Sequence, residues 1–249
     1  MKWNTRFCPT ITAPGLHVGH LYTALVNERE AHRSGGRFTI RVDDTQIYWK
    51  DKFENKTDII GDIYISQIEQ FMQVDGVSWQ SKLPDPLSII GKHQKPLYDA
   101  IFSLIGGEQM LFDLSCEWVT DRDLCSYPYA TKFTLEKVVW DVHEGINWMI
   151  RGEDLITETS LYHFFTDLFG FPWVLQSYLP RLRSDNREGL RNASPISKKR
   201  GNYQLDKQVE LFGIDGVIDL LKQSCLIDVE GDFYIENVKW NPTIVGFEP

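Results

Sequence analysis

The stretch RFCPTITAPGLHVGH, residues 6–20, decides how the chain folds at its start. Its first residues continue a short strand pattern into a turn, and its last residues open a helical pattern that runs to residue 34. His17 and His20 are three positions apart at the start of this predicted helix, so they share one face of its first turn. The stretch therefore predicts a strand, a loop and a helix that carries two imidazoles at its beginning.

The length and composition of the chain favour a globular α/β protein. With 249 residues, of which 42% are apolar, the chain can bury a substantial core. It shows neither a secretory signal pattern nor a run of about 18 apolar residues, which predicts a cytoplasmic location rather than export or membrane insertion. The four cysteines are scattered without a C-x-x-C pair, so we expect them to be reduced.

Acidic residues exceed basic residues overall, whereas one segment is strongly basic. The formal charge of −9 argues against indiscriminate coating of nucleic acid, which depends on many phosphate contacts. Residues 181–200 contain seven Lys or Arg side chains against Asp185 and Glu188. This segment is therefore either a solvated surface loop or an anion-binding site.

The predicted elements alternate between strands and helices along the chain. After the first strand and helix, residues 37–44 predict a second strand and residues 51–73 predict a helix. Further strand, helix and strand patterns occupy residues 148–154, 155–171 and 173–182, and a short helical tail begins at about residue 206. The region at about 80–130 contains several prolines and no clean repeat, which suits an insertion between two halves of a sheet.

The predicted start of the first helix has the features of a phosphate-binding site. Unpaired backbone N–H groups and the helix dipole favour anions at this position, and His17 and His20 would add side-chain donors. Gly15 and Gly19 would allow a nucleotide to approach the backbone closely. Histidine pairs also occur in protein cores and on surfaces, so simple packing is the alternative interpretation.

Five motifs in order resemble the class I aminoacyl-tRNA synthetases and, among them, the glutamyl and glutaminyl enzymes. They are RFCPTITAPGLHVGH (6–20), GGRFTIRVDDT (35–45), IRGEDLITETSLYHFFTDLFGF (150–171), YLPRL (178–182) and ISKKRG (196–201). The resemblance implies an α/β fold with a Rossmann-like parallel sheet split by an acceptor-stem-type insertion. It divides the chain into a catalytic domain over residues 1–205 and a short helical segment over residues 206–249. The implied activity is that of a ligase that forms an aminoacyl-adenylate from ATP and transfers the amino acid to tRNA.

The resemblance assigns the ATP chemistry to the first and last motifs. His17 and His20 would donate hydrogen bonds to phosphate oxygens, and Lys198 would bind the phosphates from the other side. The implied cofactor is Mg²⁺, which would share in the charge neutralisation. Further contacts to ATP are implied for Gly19, Leu182, Ser197 and Lys199.

The resemblance places the amino acid substrate on a second group of residues: Arg6, Thr10, Asp43, Phe133 and Arg151. A guanidinium group binds a carboxylate through paired hydrogen bonds, and Asp43 suits an α-ammonium group, so glutamate is the expected substrate. The alternative is that Arg6 and Arg151 form structural salt bridges with neighbouring carboxylates.

The chain departs from the family pattern at several positions. The loop before the first histidine is one residue longer, Ile11 stands for a proline, and Pro195 replaces the first lysine of the last motif. Tyr178 replaces a motif histidine, and Phe133 replaces a tyrosine that contacts the substrate in the family. These changes predict a pocket that differs in detail from that of the family.

The insertion offers a poor set of zinc ligands. Some short members of the family hold zinc there, whereas this chain provides Cys116 and Cys125 with Tyr127 or Tyr129. Two thiolates do not make a good tetrahedral set, so we expect no structural zinc.

Fewer than fifty residues follow Gly201, which is too short for an anticodon-binding domain. The plan is similar to that of the glutamyl-queuosine tRNA(Asp) synthetases, which attach activated glutamate to a modified base. A stand-alone ligase that acts on a non-tRNA acceptor is one alternative, and a non-catalytic paralogue that binds tRNA or a protein is another. A small H-x-G-H nucleotidyltransferase is a third alternative, but such a protein would share only the first of the five motifs.

Overall fold

A computed structural model describes residues 1–11, 13–44, 57–91, 94–96, 98–99, 128–179, 183–184, 204–223 and 244–245. The chain divides into two compact units. The first comprises residues 1–82, 149–153 and 177–249, and the second comprises residues 83–148 and 154–176.

The described elements include the alternation that the sequence predicts, together with a strand at Gly76–Trp79 and helices at Pro86–Ile89 and Pro128–Glu144 that it does not predict. In chain order they are β1 (Thr5–Phe7), α1 (Val18–Arg33), β2 (Phe38–Val42), α2 (Thr57–Glu69), β3 (Gly76–Trp79), a 3₁₀ turn (Gln80–Lys82), α3 (Pro86–Ile89), α4 (Pro128–Glu144), β4 (Trp148–Gly152), a 3₁₀ turn (Glu153–Leu155), α5 (Glu158–Leu168), β5 (Leu175–Leu179), β6 (Arg183–Ser184), α6 (Leu205–Gln223) and β7 (Ile244–Val245). Within this described part of the chain, no helix is both long and apolar enough to cross a membrane.

The first unit is built on a sheet with the strand order β3-β2-β1-β4-β5. Strand β2 pairs in parallel with both β1 and β3, which aligns Arg6 with Thr39 and Ile40 with Val77. The order reverses between β1 and β4, as in a doubly wound sheet, and the predicted Rossmann-like α/β fold is confirmed. In such sheets, ligands bind at the carboxyl ends of the strands beside this reversal.

Helix α1 covers the sheet with an apolar face and is fastened to it by one buried amide. Leu21 and Ala24 of the helix and Ile40 of β2 are completely buried. The side chain of Asn27 donates from Nδ2 to the carbonyl oxygen of Ile150 in β4 at 2.7 Å. The carbonyl oxygen of Asn27 accepts a hydrogen bond from Thr5 Oγ1 in β1, also at 2.7 Å. The helix is therefore bonded to both strands that flank the reversal.

Two glycines end α1 as the sequence predicts. Gly35 has a φ of 71°, in the left-handed region that glycine adopts without strain, and its N–H donates to the carbonyl oxygen of His32 at 3.0 Å. A Cβ on Gly36 would lie 1.8 Å from the carbonyl oxygen of Trp3, so the next position has no room for a side chain. The chain can thus turn sharply into β2 while passing close to the backbone before β1.

The second unit packs α4 with α5 and α3. Tyr162 of α5 donates to the buried carboxylate of Asp141 in α4 at 2.9 Å. The indole N–H of Trp140 donates to the carbonyl oxygen of Pro84 at 3.0 Å. These bonds fix the helices of this unit to each other and to the chain before α3.

A histidine in the last turn of α1 links the helix to the segment before β3. His32 contacts Glu28 Oε1 through Nδ1 at 3.0 Å and Asp75 Oδ2 through Nε2 at 2.7 Å. Burial by itself lowers the pKa of His32, but the hydrogen bond to Asp75 and the charge of Glu28 outweigh it and raise this pKa. For Asp75, burial favours a higher pKa, yet the N–H of Phe38 and the contact with His32 lower it.

We expect this cluster to make stability pH-dependent. Because folding raises the pKa of His32, its stabilisation is complete below the ordinary value of 6.5 and is lost as the pH rises through the raised value. The contribution of Asp75 is complete above 3.8 and is lost as the pH falls through the lowered value. Urea denaturation should therefore show that His32→Gln destabilises the protein more at about pH 5.5 than at about pH 9. His143→Gln, at an exposed histidine, is the control, and an equal loss at both pH values for His32→Gln would contradict the expectation.

Candidate active site

The candidate site lies where the carboxyl ends of β1 and β4 meet the start of α1. Strand β1 carries Arg6, and β4 carries Arg151. The loop after β1 leads to His17, which caps α1, and Phe7 lies with its ring centroid 6.1 Å from that of His20. The strand order thus brings together residues that are separated by most of the chain.

His17 and His20 cap the helix with their ring nitrogens. His17 Nδ1 accepts the N–H of Gly19 at 3.1 Å, and His20 Nδ1 accepts the N–H of His17 at 3.3 Å, which forms a capping box. The two half-buried rings stack with centroids 3.8 Å apart and planes 20° apart. A nitrogen that accepts a backbone N–H carries no proton, so each ring is neutral and carries its proton on Nε2.

This cap explains the glycine between the two histidines. A Cβ on Gly19 would lie 2.9 Å from His17 Cε1 and 3.0 Å from His17 Nδ1, inside the space that the imidazole fills. Helix caps commonly use a hydroxyl, carboxamide or carboxylate oxygen for the same bond. With imidazoles in that role, the first turn of α1 gains two N–H donors on the side-chain rings in place of oxygen acceptors.

The two arginines have soft or aromatic neighbours. Arg6, which is 9% exposed, donates from Nη2 to the sulfur of Met149 at 3.2 Å. Arg151 donates from Nη2 to Tyr178 Oη at 3.3 Å, and its guanidinium carbon lies 5.5 Å from the centre of the Tyr178 ring. A thioether is a weak acceptor and a phenol is neutral, so neither of these two contacts is an ion pair.

Asp43 follows β2 and is held by the loop after β1. Its carboxylate, which is 1% exposed, accepts a hydrogen bond from Thr10 Oγ1 at 2.9 Å. Its backbone N–H donates to the carbonyl oxygen of Pro9 at 3.0 Å, and its carbonyl oxygen accepts the N–H of Ile11 at 3.1 Å. The predicted pair of Thr10 and Asp43 is therefore in contact. The adjacent Asp44 instead accepts the N–H of Ser81 at 2.8 Å and the hydroxyl of the same residue, so it has a structural role.

Several predicted site residues fall outside the described part of the chain. These are Leu182, Ser197, Lys198 and Lys199, together with the side chain of Phe133, whose backbone lies in α4. The zinc candidates Cys116, Cys125 and Tyr127 and the side chain of Tyr129 also lie outside it. Among the described residues, no group of three His, Cys, Asp or Glu side chains could hold a metal ion.

Sequence reasoning missed Met149 and undervalued Tyr178. Met149 is 2% exposed and reads as an ordinary apolar strand residue, so no local signal marks it as a neighbour of Arg6. In the sequence, Tyr178 stands out only as a departure from a motif, whereas in the structure it contacts Arg151 from the neighbouring strand. Both contacts depend on the pairing order of strands, which sequence periodicity does not reveal.

The chain is similar in sequence and in fold to known proteins. Residues 2–88 match the family model for the catalytic domain of class I tRNA synthetases (E and Q). The chain is 37% identical over 210 residues to glutamate–tRNA ligase 2 of Ruegeria sp. (strain TM1040), an alignment that covers 63% of this chain and 47% of that protein. The chain is similar to the class I tRNA synthetases for glutamate and glutamine. The family resemblance drawn from the five motifs is confirmed.

A shorter synthetase and a solved structure are also similar to this chain. The glutamyl-Q tRNA(Asp) synthetase of Prochlorococcus marinus (strain MIT 9303) is 26% identical over 164 residues, which cover 62% of this chain and 48% of that protein. The glutamate tRNA ligase of Elizabethkingia meningosepticum, solved in complex with its amino acid, shares the fold with a TM-score of 0.59 and 15% identity. That likeness covers 100% of this chain and 67% of the other. The chain spans about half the length of the curated relatives it matches.

The two functions of the His17 ring can be separated by substitution. Asparagine keeps a side-chain acceptor at the cap but has no Nε2–H, whereas alanine has neither. We expect His17→Ala to lower the free energy of unfolding by about 0.5–2 kcal/mol, and His17→Asn to cost less than half of that loss. Urea denaturation of both variants measures the difference. Equal losses for Asn and Ala would show that the Nδ1 cap does not stabilise the helix.

Proposed function

We propose that this protein activates an amino acid with ATP, forms an aminoacyl-adenylate and transfers the aminoacyl group to a tRNA acceptor. The observation that carries the proposal is the pair of neutral imidazoles at the start of α1, on the same sheet edge as Arg6 and Arg151. This edge offers donors for phosphate and cations for carboxylate, as the reaction needs. The names of the relatives support glutamate as the amino acid and tRNA as the acceptor.

ATP would bind with its phosphates against the first turn of α1. The Nε2–H groups of His17 and His20 would donate to phosphate oxygens, and Gly19 would lie at the same turn beneath them. The resemblance adds Lys198 as a phosphate ligand, with Leu182, Ser197 and Lys199 as further contacts. Each ring would therefore present one N–H donor to the negative charge of the phosphates.

The amino acid would bind between the two central strands. Arg6 and Arg151 would bind the carboxylates of glutamate. Asp43 would accept a hydrogen bond from the α-ammonium group, and Thr10 would hold the Asp43 carboxylate in place. Phe133 lacks the hydroxyl that a tyrosine would offer at its position in the family. Two guanidinium groups can each bind one carboxylate through paired hydrogen bonds, which favours a dicarboxylic amino acid.

The activation step asks for positioning and charge stabilisation rather than covalent help. A carboxylate oxygen of the amino acid attacks the α-phosphorus of ATP, the bond from that phosphorus to the bridging oxygen breaks, and pyrophosphate leaves. Mg²⁺ bound to ATP neutralises phosphate charge. The described residues contain no three-ligand cluster for this ion, so we assign none of them to it.

The finer part of the proposal concerns the acceptor. The similarity to a glutamyl-Q tRNA(Asp) synthetase supports transfer of glutamate to the queuosine base of tRNA(Asp). A ligase of this kind recognises the modified base and needs no separate reader of a cognate anticodon.

Exchange of labelled pyrophosphate into ATP tests the activation step. We expect exchange that depends on glutamate and exceeds that with each other standard amino acid. Lys198→Ala should slow it by about 10²–10³, the scale for losing one preorganised donor to a developing charge. Lys207→Ala, at an exposed lysine in α6, is the matched control and should behave as the parent. The proposal would be contradicted if no amino acid supported exchange, or if Lys198→Ala exchanged pyrophosphate as fast as the parent.

The acceptor is tested with tRNA(Asp) prepared with and without queuosine. We expect labelled glutamate to be transferred only to the queuosine-containing tRNA. Removal of the terminal adenosine of the tRNA should leave this transfer intact, because the modified base and not the 3′ end would receive glutamate. Transfer to the 3′ end of a tRNA for glutamate, or to a small molecule in the absence of tRNA, would show that queuosine is not the acceptor.

A further inference from the structure

The loop that leads into α1 is bonded to the first residues of α6. The N–H of Leu205 donates to the carbonyl oxygen of Leu16 at 2.8 Å, and His17 pairs with Gln204 in an antiparallel bridge. Gln204 comes only six positions after Lys198 in the sequence. The backbone that carries the first motif histidine is therefore attached to the residues that follow the last motif.

One buried amide joins the same two segments from the side. Gln67 of α2, which is 4% exposed, accepts the N–H of Leu16 through Oε1 at 2.9 Å. Its Nε2 donates to a carboxylate oxygen of Asp206, in the first turn of α6. The orientation of this amide is dictated by its partners, since a backbone N–H can only donate and a carboxylate can only accept.

Two more residues adapt the loop to this amide. A Cβ on Gly15 would lie 3.3 Å from Gln67 Nε2 and 3.9 Å from Asp206 Oδ2, so glycine leaves the space that the contact needs. Tyr64, one turn before Gln67 on α2, donates from Oη to the carbonyl oxygen of Ala13 at 2.6 Å. Helix α2 thus holds the loop on both sides of Gly15.

We infer that Gln67 is a positioning residue for the reaction, acting with Asp206 through the backbone of His17. The ring of His17 is oriented by bonds to the first turn of α1, so its Nε2–H moves with the peptide of Leu16. A displacement of about 1 Å at a catalytic group can cost on the order of 10² in rate. The inference deepens the proposed function and rests on it for its effect on rate.

The amide contact can be broken and rebuilt by exchanging its polarity. Gln67→Glu keeps an acceptor for Leu16 N–H but places a carboxylate against Asp206. Adding Asp206→Asn supplies an N–H donor to the new carboxylate and restores the contact with the opposite direction. Gln70→Glu makes the same chemical change one turn further along, at an exposed amide that donates to Ser66, and is the matched control.

We expect kcat for pyrophosphate exchange at about pH 8 to fall tenfold or more in Gln67→Glu, because a carboxylate cannot donate the hydrogen bond that Gln67 Nε2 donates to Asp206. The KM for glutamate should stay within about twofold, since the amino acid contacts of Arg6 and Arg151 do not involve Gln67. The double variant should recover to within about threefold of the parent, and Gln70→Glu should not differ from it. A Gln67→Glu enzyme as fast as the parent, or a double variant as slow as the single one, would overturn the inference.

A second measurement decides the positioning without any turnover. In protein carrying isotope-labelled histidine, the ring-nitrogen NMR signals of His17 are assigned by their loss in His17→Asn. These signals should shift in Gln67→Glu and return in the double variant. Unchanged His17 signals would overturn the inference even if exchange is fast. Shifted and restored signals in a protein without any exchange would uphold the positioning and reject the proposed function instead.

Discussion

The hydrogen bonds of Asn27 tie α1 to the two strands that flank the reversal of the sheet. Its side chain bonds β4 through Ile150, and its carbonyl oxygen bonds β1 through Thr5. The buried Nδ2 group of this amide donates to the carbonyl oxygens of Thr23 and Ile150, and a buried donor left unpaired would cost about 1–3 kcal/mol. The position of α1 on the sheet, and with it the place of every group at its first turn, depends on this attachment.

At that first turn, the same two side chains accept backbone N–H groups and, in the proposed function, would donate to phosphate. Each imidazole has two nitrogens, and capping occupies one of them on both His17 and His20. The other nitrogen must then carry the proton, so the structural bond fixes the tautomer that suits an anion. A serine or aspartate cap would stabilise the helix equally well but would present oxygen acceptors to the ligand.

The charged groups of the site are prepared in different ways. Arg6 donates to the thioether of Met149, and Arg151 donates to the phenol of Tyr178. Asp43 is buried but keeps a hydroxyl partner in Thr10. Asp44, its neighbour in sequence, is used entirely to hold the turn after β3. These two adjacent carboxylates therefore have different partners, Thr10 for Asp43 and Ser81 for Asp44.

The sequence by itself determined the local structure: the strand, loop and helix of residues 6–33 and the glycines that end α1. It also predicted the family that the motifs resemble. These features depend on residues within a few positions of each other, where periodicity and capping rules apply. Only the tertiary structure decided which distant residues meet. Gln67 contacts Asp206, which is 139 positions away in the sequence, and Arg6 contacts Met149, which is 143 positions away. Such contacts follow from the order in which strands pair and helices pack, and no local pattern records that order.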